Sequence, residues 1–239
     1  MPIDLGSPLR RLPTDLPRRQ VLYLDALRVS FEMAVVGYDH LVAVLRTLMA
    51  DTAPTLDGSQ VDAIAYAWSV VDSLHRFRIV LTATPGIKHN HVYELFIRGT
   101  AGVESLRNAV QHISGELDQI AAQAQAPLGT LTWLGPSAAP NGPPTMFLLN
   151  VCTPYPGQLA FGPIVDLQSR LQEGTIANVK LSLSRSQLDI TDAQNRLKSF
   201  VRSLAPAIAT ASADKPSFGA DRLMRFQLIP STPDSGDAA

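Results

Sequence analysis

The 239-residue chain has almost no cysteine, and this absence limits its chemistry. Cys152 is the single cysteine, which excludes an internal disulfide and a thiolate metal cluster. Its neighbours belong to an apolar run, which favours an inert buried thiol over a nucleophile. We therefore expect no cysteine-based catalysis.

Excess charge is also missing. The chain has 20 Lys and Arg against 21 Asp and Glu, for a formal net charge of −1. Strong nucleic-acid binders usually carry an excess of positive charge. Any RNA contact in this protein must therefore depend on a local group of basic side chains.

Long apolar runs are absent as well. No window reaches the roughly 18 uninterrupted apolar residues of a membrane span. The first 19 residues contain four arginines and no long apolar core, which predicts neither a signal peptide nor an anchor. We expect a cytoplasmic protein without a membrane partner.

The composition that remains is that of a globular protein, with 46% apolar and 17% charged residues. The length suits one large domain or two small ones. Residues 1–16 are predicted to form an extended arm, because prolines remove amide donors and restrict the preceding residue. A small basic cluster in and just after this arm is predicted to be solvated, with RNA or partner contact as the alternative: Arg10, Arg11, Arg18 and Arg19.

Apolar residues three and four positions apart predict helices in the first half of the chain. One helix begins near Val21 and stops at Asp51–Pro54, and a second begins near Asp57 with Val61 and Ile79 in its apolar stripe. A short helix is expected at Val92–Ile97. A third long helix is expected from Val103 to Ala124, which completes a helical bundle over residues 17–126.

The second half has a different pattern, with strands separated by loops rich in Pro and Gly. Connections of this kind suit antiparallel pairing. Thr191 begins a capping-box sequence, so a helix is expected from there to Ala211. Residues 127–230 thus form an α+β extension and 231–239 a disordered tail. The expected strands are Leu128–Leu134, Thr145–Thr153, Ala177–Ser184 and, as a possible last one, Leu223–Ile229. The predicted fold class is α+β, a helical bundle followed by a small antiparallel sheet with one packed helix.

A polar group lies opposite the apolar stripe of the third long helix. At about 100° per residue, Asn108 and His112 share that opposite side one turn apart, with Arg107 on its flank. The sequence Arg107-Asn108-x-x-x-His112 resembles the signature of the HEPN superfamily, whose members are small helical bundles with such residues in a cleft between two subunits. The resemblance covers roughly Leu16–Ala126. Ser114 and Gly115 depart from toxin members, which often carry a Tyr shortly after the His.

The resemblance implies a metal-independent endoribonuclease, of toxin or host-defence type, that works as a homodimer. A histidine can move protons near neutral pH, and a guanidinium can hold phosphate oxygens. Arg107, Asn108 and His112 would be the catalytic residues, with no metal or other cofactor. Partners implied are RNA and an antitoxin or regulatory protein. Local positive charge for RNA binding would come from residues before the motif helix: Lys88, His89, His91 and Arg98.

Three alternatives remain open. In one, the chain keeps the bundle as a non-catalytic HEPN-like interaction or RNA-binding protein. In another, Arg107 and His112 are ordinary solvated residues. A histidine-metal bundle is a third, since Asp72 and His75 have the spacing of carboxylate and imidazole ligands in some bundles, and His40 lies on another helix. We disfavour the metal reading because His112 points away from the apolar stripe and no Glu-x-x-His pair occurs.

Overall fold

The computed structural model describes residues 3, 7–50, 58–87, 89–122, 126–136, 144–151, 176–213, 215–217 and 221. Among these residues a short 3-10 helix and five α-helices come first, then four strands and a last α-helix. They are α1 (Arg18–Ala50), α2 (Ser59–Ala83), α3 (His91–Gly99), α4 (Gly102–Gln111), α5 (Ile113–Ala122), β1 (Thr130–Gly135), β2 (Thr145–Asn150), β3 (Ala177–Leu183), β4 (Ser186–Asp189) and α6 (Ile190–Ser212). The predicted α+β class is confirmed.

Helices α1 and α2 pack side by side through their apolar stripes. Gly37 brings the backbones together, since a Cβ at this position would lie 3.2 Å from Cγ2 of Val70. Leu27 and Leu41 of α1 are fully buried, as is Leu74 of α2. The prediction that Val61 and Ile79 belong to the buried stripe is wrong, because both side chains are exposed. Ile79 is turned about 140° around the helix from the buried Leu74.

By length and composition alone, α1 is apolar enough to cross a membrane. Its buried stripe packs against the rest of the protein, and 28% of its most apolar 18-residue window is buried there.

The four strands form one antiparallel sheet in the order β2-β1-β3-β4. Leu131 of β1 faces Leu149 of β2 on one side and Leu181 of β3 on the other. All six residues of β1 are buried, as expected of a central strand covered on both faces. The sequence did not predict β4, a four-residue strand in which Leu188 is the single fully buried side chain.

The N-cap of helix α6 lies two residues earlier than the sequence predicts. Thr191 was expected to cap it, but the N-cap is Asp189, whose carboxylate accepts from the Asp192 N–H at 2.8 Å. The Thr191 hydroxyl instead accepts from the Val179 N–H at 3.0 Å and hydrogen-bonds to the Tyr38 hydroxyl at 3.0 Å. Thr191 therefore joins α6 to β3 and α1.

The start of the chain packs against α1. Pro8–Arg10 form a 3-10 helix within the segment predicted as an arm, and Leu9 and Leu12 are buried. Arg10, expected in a solvated cluster, forms ion pairs with Glu32 and with Asp221. The predicted last strand, the predicted tail and Cys152 lie outside the described residues.

The motif helix is interrupted. His112 ends α4 with φ −104° and ψ 21°, and the Gly115 N–H donates to its carbonyl at 2.9 Å. The break rotates the residues that follow, so Leu117 is exposed although its spacing predicted burial, whereas Ile120 is buried. The single helix predicted from Val103 to Ala124 is therefore two helices.

Gly102 fixes the start of α4 against the sheet. A Cβ at this position would overlap the carbonyl oxygen of Gln187 in β4, which is backbone and cannot move aside as a side chain can. The glycine thus allows the approach of α4 to β4, and this approach sets the direction of the motif helix.

We predict that Gly102→Ala lowers the free energy of unfolding by about 1–3 kcal/mol, the usual cost of overpacking. Gly115→Ala is the matched control, because a Cβ there meets nothing within 4 Å. It should be neutral or stabilise by up to about 1 kcal/mol, since alanine suits a helix better than glycine. Urea unfolding of both variants tests this, and equal effects would contradict the close-approach argument.

Candidate functional site

Arg107 is directed towards α2 and forms an ion pair there. Its Nε lies 2.8 Å from Oδ1 of Asp72, and the two side chains are 31% and 42% exposed. Farther along, Arg78 of α2 approaches Glu104 of α4 at 3.9 Å. The residue numbers rise in opposite directions along the two helices, so α2 and α4 run antiparallel.

His75 is the partly buried histidine beside this ion pair. Burial lowers the pKa of its imidazole, and the positive charge of Arg107 lowers it further, against the opposing charges of Glu104 and Asp72. The ring is therefore held neutral at neutral pH and can accept a proton. In the sequence, His75 stands out as a possible metal ligand alone. Its three-residue spacing from Asp72 is the signal that both lie on one side of α2.

Arg78 holds the helices that frame the site. Its Nη1 donates to the Ile97 carbonyl and to the Thr100 hydroxyl, both at 2.6 Å. Thr100 in turn donates to the Phe96 carbonyl at 2.8 Å. Burial lowers the pKa of Arg78 from its usual range. These contacts anchor the end of α3 to α2 and so position α4, which starts at Gly102.

Asn108 and His112 occupy the exposed side of α4 one turn apart, as predicted. The His112 N–H donates to the Asn108 carbonyl at 3.1 Å. Five residues of helix turn by about 140° and rise by about 7.5 Å, so His112 lies beyond Arg107 along α4 and on a different side. One copy of the chain does not bring Arg107 and His112 together on one side.

We refer to Asp72, His75, Arg107, Asn108 and His112 as the α2–α4 surface. The α4 part of it is polar throughout, because no large apolar side chain of α4 is exposed. The residues of α4 and its C-cap that are exposed are Glu104, Ser105, Asn108, Gln111 and His112. A surface of this composition suits a polar ligand better than a large dry interface.

The residues predicted to supply positive charge are spread along α3. His89 and His91 lie at its start, with the His89 ring stacked on Tyr93 at 4.2 Å between centroids. Arg98 is in its last turn, and Lys88 lies outside the described residues. Asp72 lies twelve residues, or about 18 Å along the helix, before Thr84 at the C-terminal end of α2. His89 and His91 follow that end. Among the described residues, no ion pair or hydrogen bond connects His89, His91 or Arg98 to Arg107.

The histidines do not cluster in the way a metal bundle needs. His40 stacks on Tyr66 of α2 with 5.2 Å between ring centroids. Tyr66 lies about 13 Å along α2 from His75. Within the ranges that the structure describes, no group of three or more His, Cys, Asp or Glu side chains could hold a metal ion. The histidine-metal alternative gains no support from this arrangement.

A scan against protein-family models finds no match for this chain, and comparisons with curated proteins and with solved structures find none either. The HEPN resemblance therefore remains a prediction that rests on Arg107, Asn108 and His112.

The lowered pKa of His75 predicts a pH dependence of stability. A histidine that binds its proton less readily in the folded state than in the unfolded state favours unfolding as the pH falls. The contribution of neutral His75 to the free energy of unfolding is present above the pKa of about 6.5 in the unfolded chain, and it is lost as the pH falls below that value. His75→Asn should therefore show a smaller loss of unfolding free energy between pH 7.5 and 5.5 than the wild type.

The matched comparison is His75→Gln, which removes the same imidazole and leaves a longer amide side chain. Urea unfolding across this pH range should give it the same reduced loss as His75→Asn. Identical slopes for all three proteins would show that the environment of His75 does not disfavour its charged form.

Proposed function

We propose that this chain is a metal-independent endoribonuclease whose reacting groups lie on the α2–α4 surface. The observation that carries the proposal is that Arg107 of α4 is held against α2 by Asp72, three residues before His75, with Asn108 and His112 following Arg107 in the chain. A neutral imidazole next to a guanidinium provides a base and an anion-binding group side by side. The HEPN resemblance, reached from the motif alone, suggests the same reaction.

The reaction needs no metal, because RNA contains its own nucleophile. The 2′-oxygen forms a bond to the neighbouring phosphorus while the bond from phosphorus to the 5′-oxygen breaks. His75 accepts the 2′-hydroxyl proton, and the partner's His112 in a shared cleft donates a proton to the departing 5′-oxygen, since His112 of the same copy faces another side of α4. Arg107 binds the phosphate oxygens as negative charge builds there, and Asn108 orients the base or the backbone.

Asp72 competes with the phosphate for Arg107. A partly exposed ion pair contributes about 0–1 kcal/mol, so the phosphate of an RNA that contacts several protein groups at once can displace the carboxylate. Until then the pair keeps Arg107 next to His75. Arg76 is exposed on α2 and adds a positive charge there, while the chain as a whole has no excess of positive charge. A toxin or defence role with an antitoxin or regulatory partner is part of this proposal through the resemblance.

A non-catalytic HEPN-like RNA-binding or interaction protein is the second candidate. It is favoured by the ion pair itself, since Asp72 already neutralises Arg107. A cleft shared by two copies of Arg107, Asn108 and His112 also stays a prediction. It would bring two polar α4 surfaces together, with no large exposed apolar side chain on that helix to hold them.

The test is cleavage of structured and unstructured RNA by the purified chain in the presence of EDTA. His75→Ala and His112→Ala should each lower the rate by about 10²-fold or more, because each removes a proton-transfer group. Arg107→Ala should lower the rate as well, through the loss of charge stabilisation. Arg202→Ala is the matched control, since it removes an exposed positive charge on α6 and should leave the rate unchanged.

RNA binding by the same proteins separates the two candidate functions. Binding without cleavage by the wild type, weakened by Arg107→Ala but not by Arg202→Ala, would establish the non-catalytic alternative. Equal cleavage by all of the variants would remove the α2–α4 surface from any catalytic role.

A further inference from the structure

Helix α1 has a second apolar stripe, exposed on the side away from its core. Leu22, Val29, Met33 and Val36 are 60%, 43%, 40% and 46% exposed. Ala26 and Ala43 continue the same line, with His40 between Val36 and Ala43. Exposed apolar groups that form a continuous surface mark interaction sites more often than isolated ones do. We call Leu22, Ala26, Val29, Met33, Val36 and Ala43 the α1 stripe.

The spacing of the α1 stripe indicates that its partner is another helix. Successive members, with His40 included, alternate by four and three residues, which is the heptad repeat of helices that pack along their length. The line from Leu22 to Ala43 extends about 32 Å. The buried contacts of α1 use other positions, such as Leu27, Phe31 and Leu41, so within the described part of the chain the stripe is not part of the core.

We propose that the α1 stripe binds the α1 helix of a second copy of this chain, in the antiparallel direction. With the stripes centred on each other, Met33 lies opposite the partner's Val36. Ala26 lies opposite the partner's Ala43, where two small side chains let the helices approach. The twofold symmetry of such a pair repeats each contact, as in most homodimers.

The charges beside the stripe favour the antiparallel direction. One edge has a charged residue at every seventh position: Asp25, Glu32, Asp39 and Arg46. In an antiparallel pair this edge meets the same edge of the partner. Asp25, half exposed and 3.5 Å from Arg28 of its own chain, then lies opposite the partner's Arg46. Symmetry makes this ion pair twice. Parallel helices would instead place the charged edge against an uncharged one: Tyr23, Ser30, Gly37 and Val44.

The antiparallel arrangement also brings Glu32 near the partner's Asp39, which would repel it if both charges were uncompensated. Glu32 is already paired within its own chain with Arg10 and with Arg28, the latter at 3.2 Å. Its charge is therefore compensated before the second copy arrives. The acidic edge also disfavours a membrane surface, because amphipathic helices that bind anionic lipid carry Lys and Arg beside their apolar side.

The α1 stripe and the α2–α4 surface lie on different helices, so this proposal does not depend on the proposed function. The test is the mass of the full-length chain in solution, by sedimentation equilibrium. The wild type should form a dimer, and Val36→Glu should raise its dissociation constant by at least about tenfold, since it places a charge inside the interface. Val61→Glu is the matched control, because Val61 is a similarly exposed apolar residue on α2 and its change should leave the dimer intact.

Charge exchange tests the direction of pairing. Asp25→Arg and Arg46→Asp should each weaken the dimer, and the double variant Asp25→Arg/Arg46→Asp should restore it. A wild-type monomer, or a dimer unaffected by Val36→Glu, would overturn the proposal, as would equal loss in Val61→Glu. Failure of the double variant to restore the dimer would overturn the antiparallel arrangement. Co-sedimentation of a wild-type monomer with anionic lipid vesicles, lost in Val36→Glu, would assign the stripe to a membrane instead.

Discussion

Three phenylalanine rings connect the helical half of the chain to the half that contains the sheet. Phe77 of α2 packs edge-on against Phe96 of α3 and Phe200 of α6, with centroids 5.5 and 6.1 Å apart, and Phe96 and Phe200 stack at 5.0 Å. Aromatic side chains bury large areas, so this cluster contributes heavily to the common core. The remainder of the fold depends on it, because α3 and α6 meet through these rings and the strands pack on α6.

This shared core explains how α4 obtains its place. Val103 and Leu106 are buried, while Gly102 allows the helix to touch the backbone of β4. Arg78 fixes the preceding turn to α2 through two short hydrogen bonds. The polar side of α4 is consequently held in one orientation by apolar burial behind it and by backbone contact at its start. The site depends on the sheet, although none of its side chains comes from a strand.

Periodicity in the sequence was enough to predict the long helices and three of the strands, since each buries a regular set of apolar residues. It could not predict β4, whose pairing with β3 depends on the backbone and on Leu188. It could not place the break at His112 either, because the three-and-four spacing of apolar residues continues across it. The pairing of Arg107 with Asp72 joins residues 35 positions apart, and no local pattern contains that contact.

The two surfaces of interest differ in the forces that they offer. The α2–α4 surface provides partly screened charges and a neutral imidazole, which suit a polar ligand that exchanges readily with water. The α1 stripe provides apolar area, and burying such area drives association without regard to direction. Direction must then come from the charges beside it, where Asp25 and Arg46 stand at opposite ends of the same edge. The two surfaces share no residue, so a partner bound to one does not use the groups of the other.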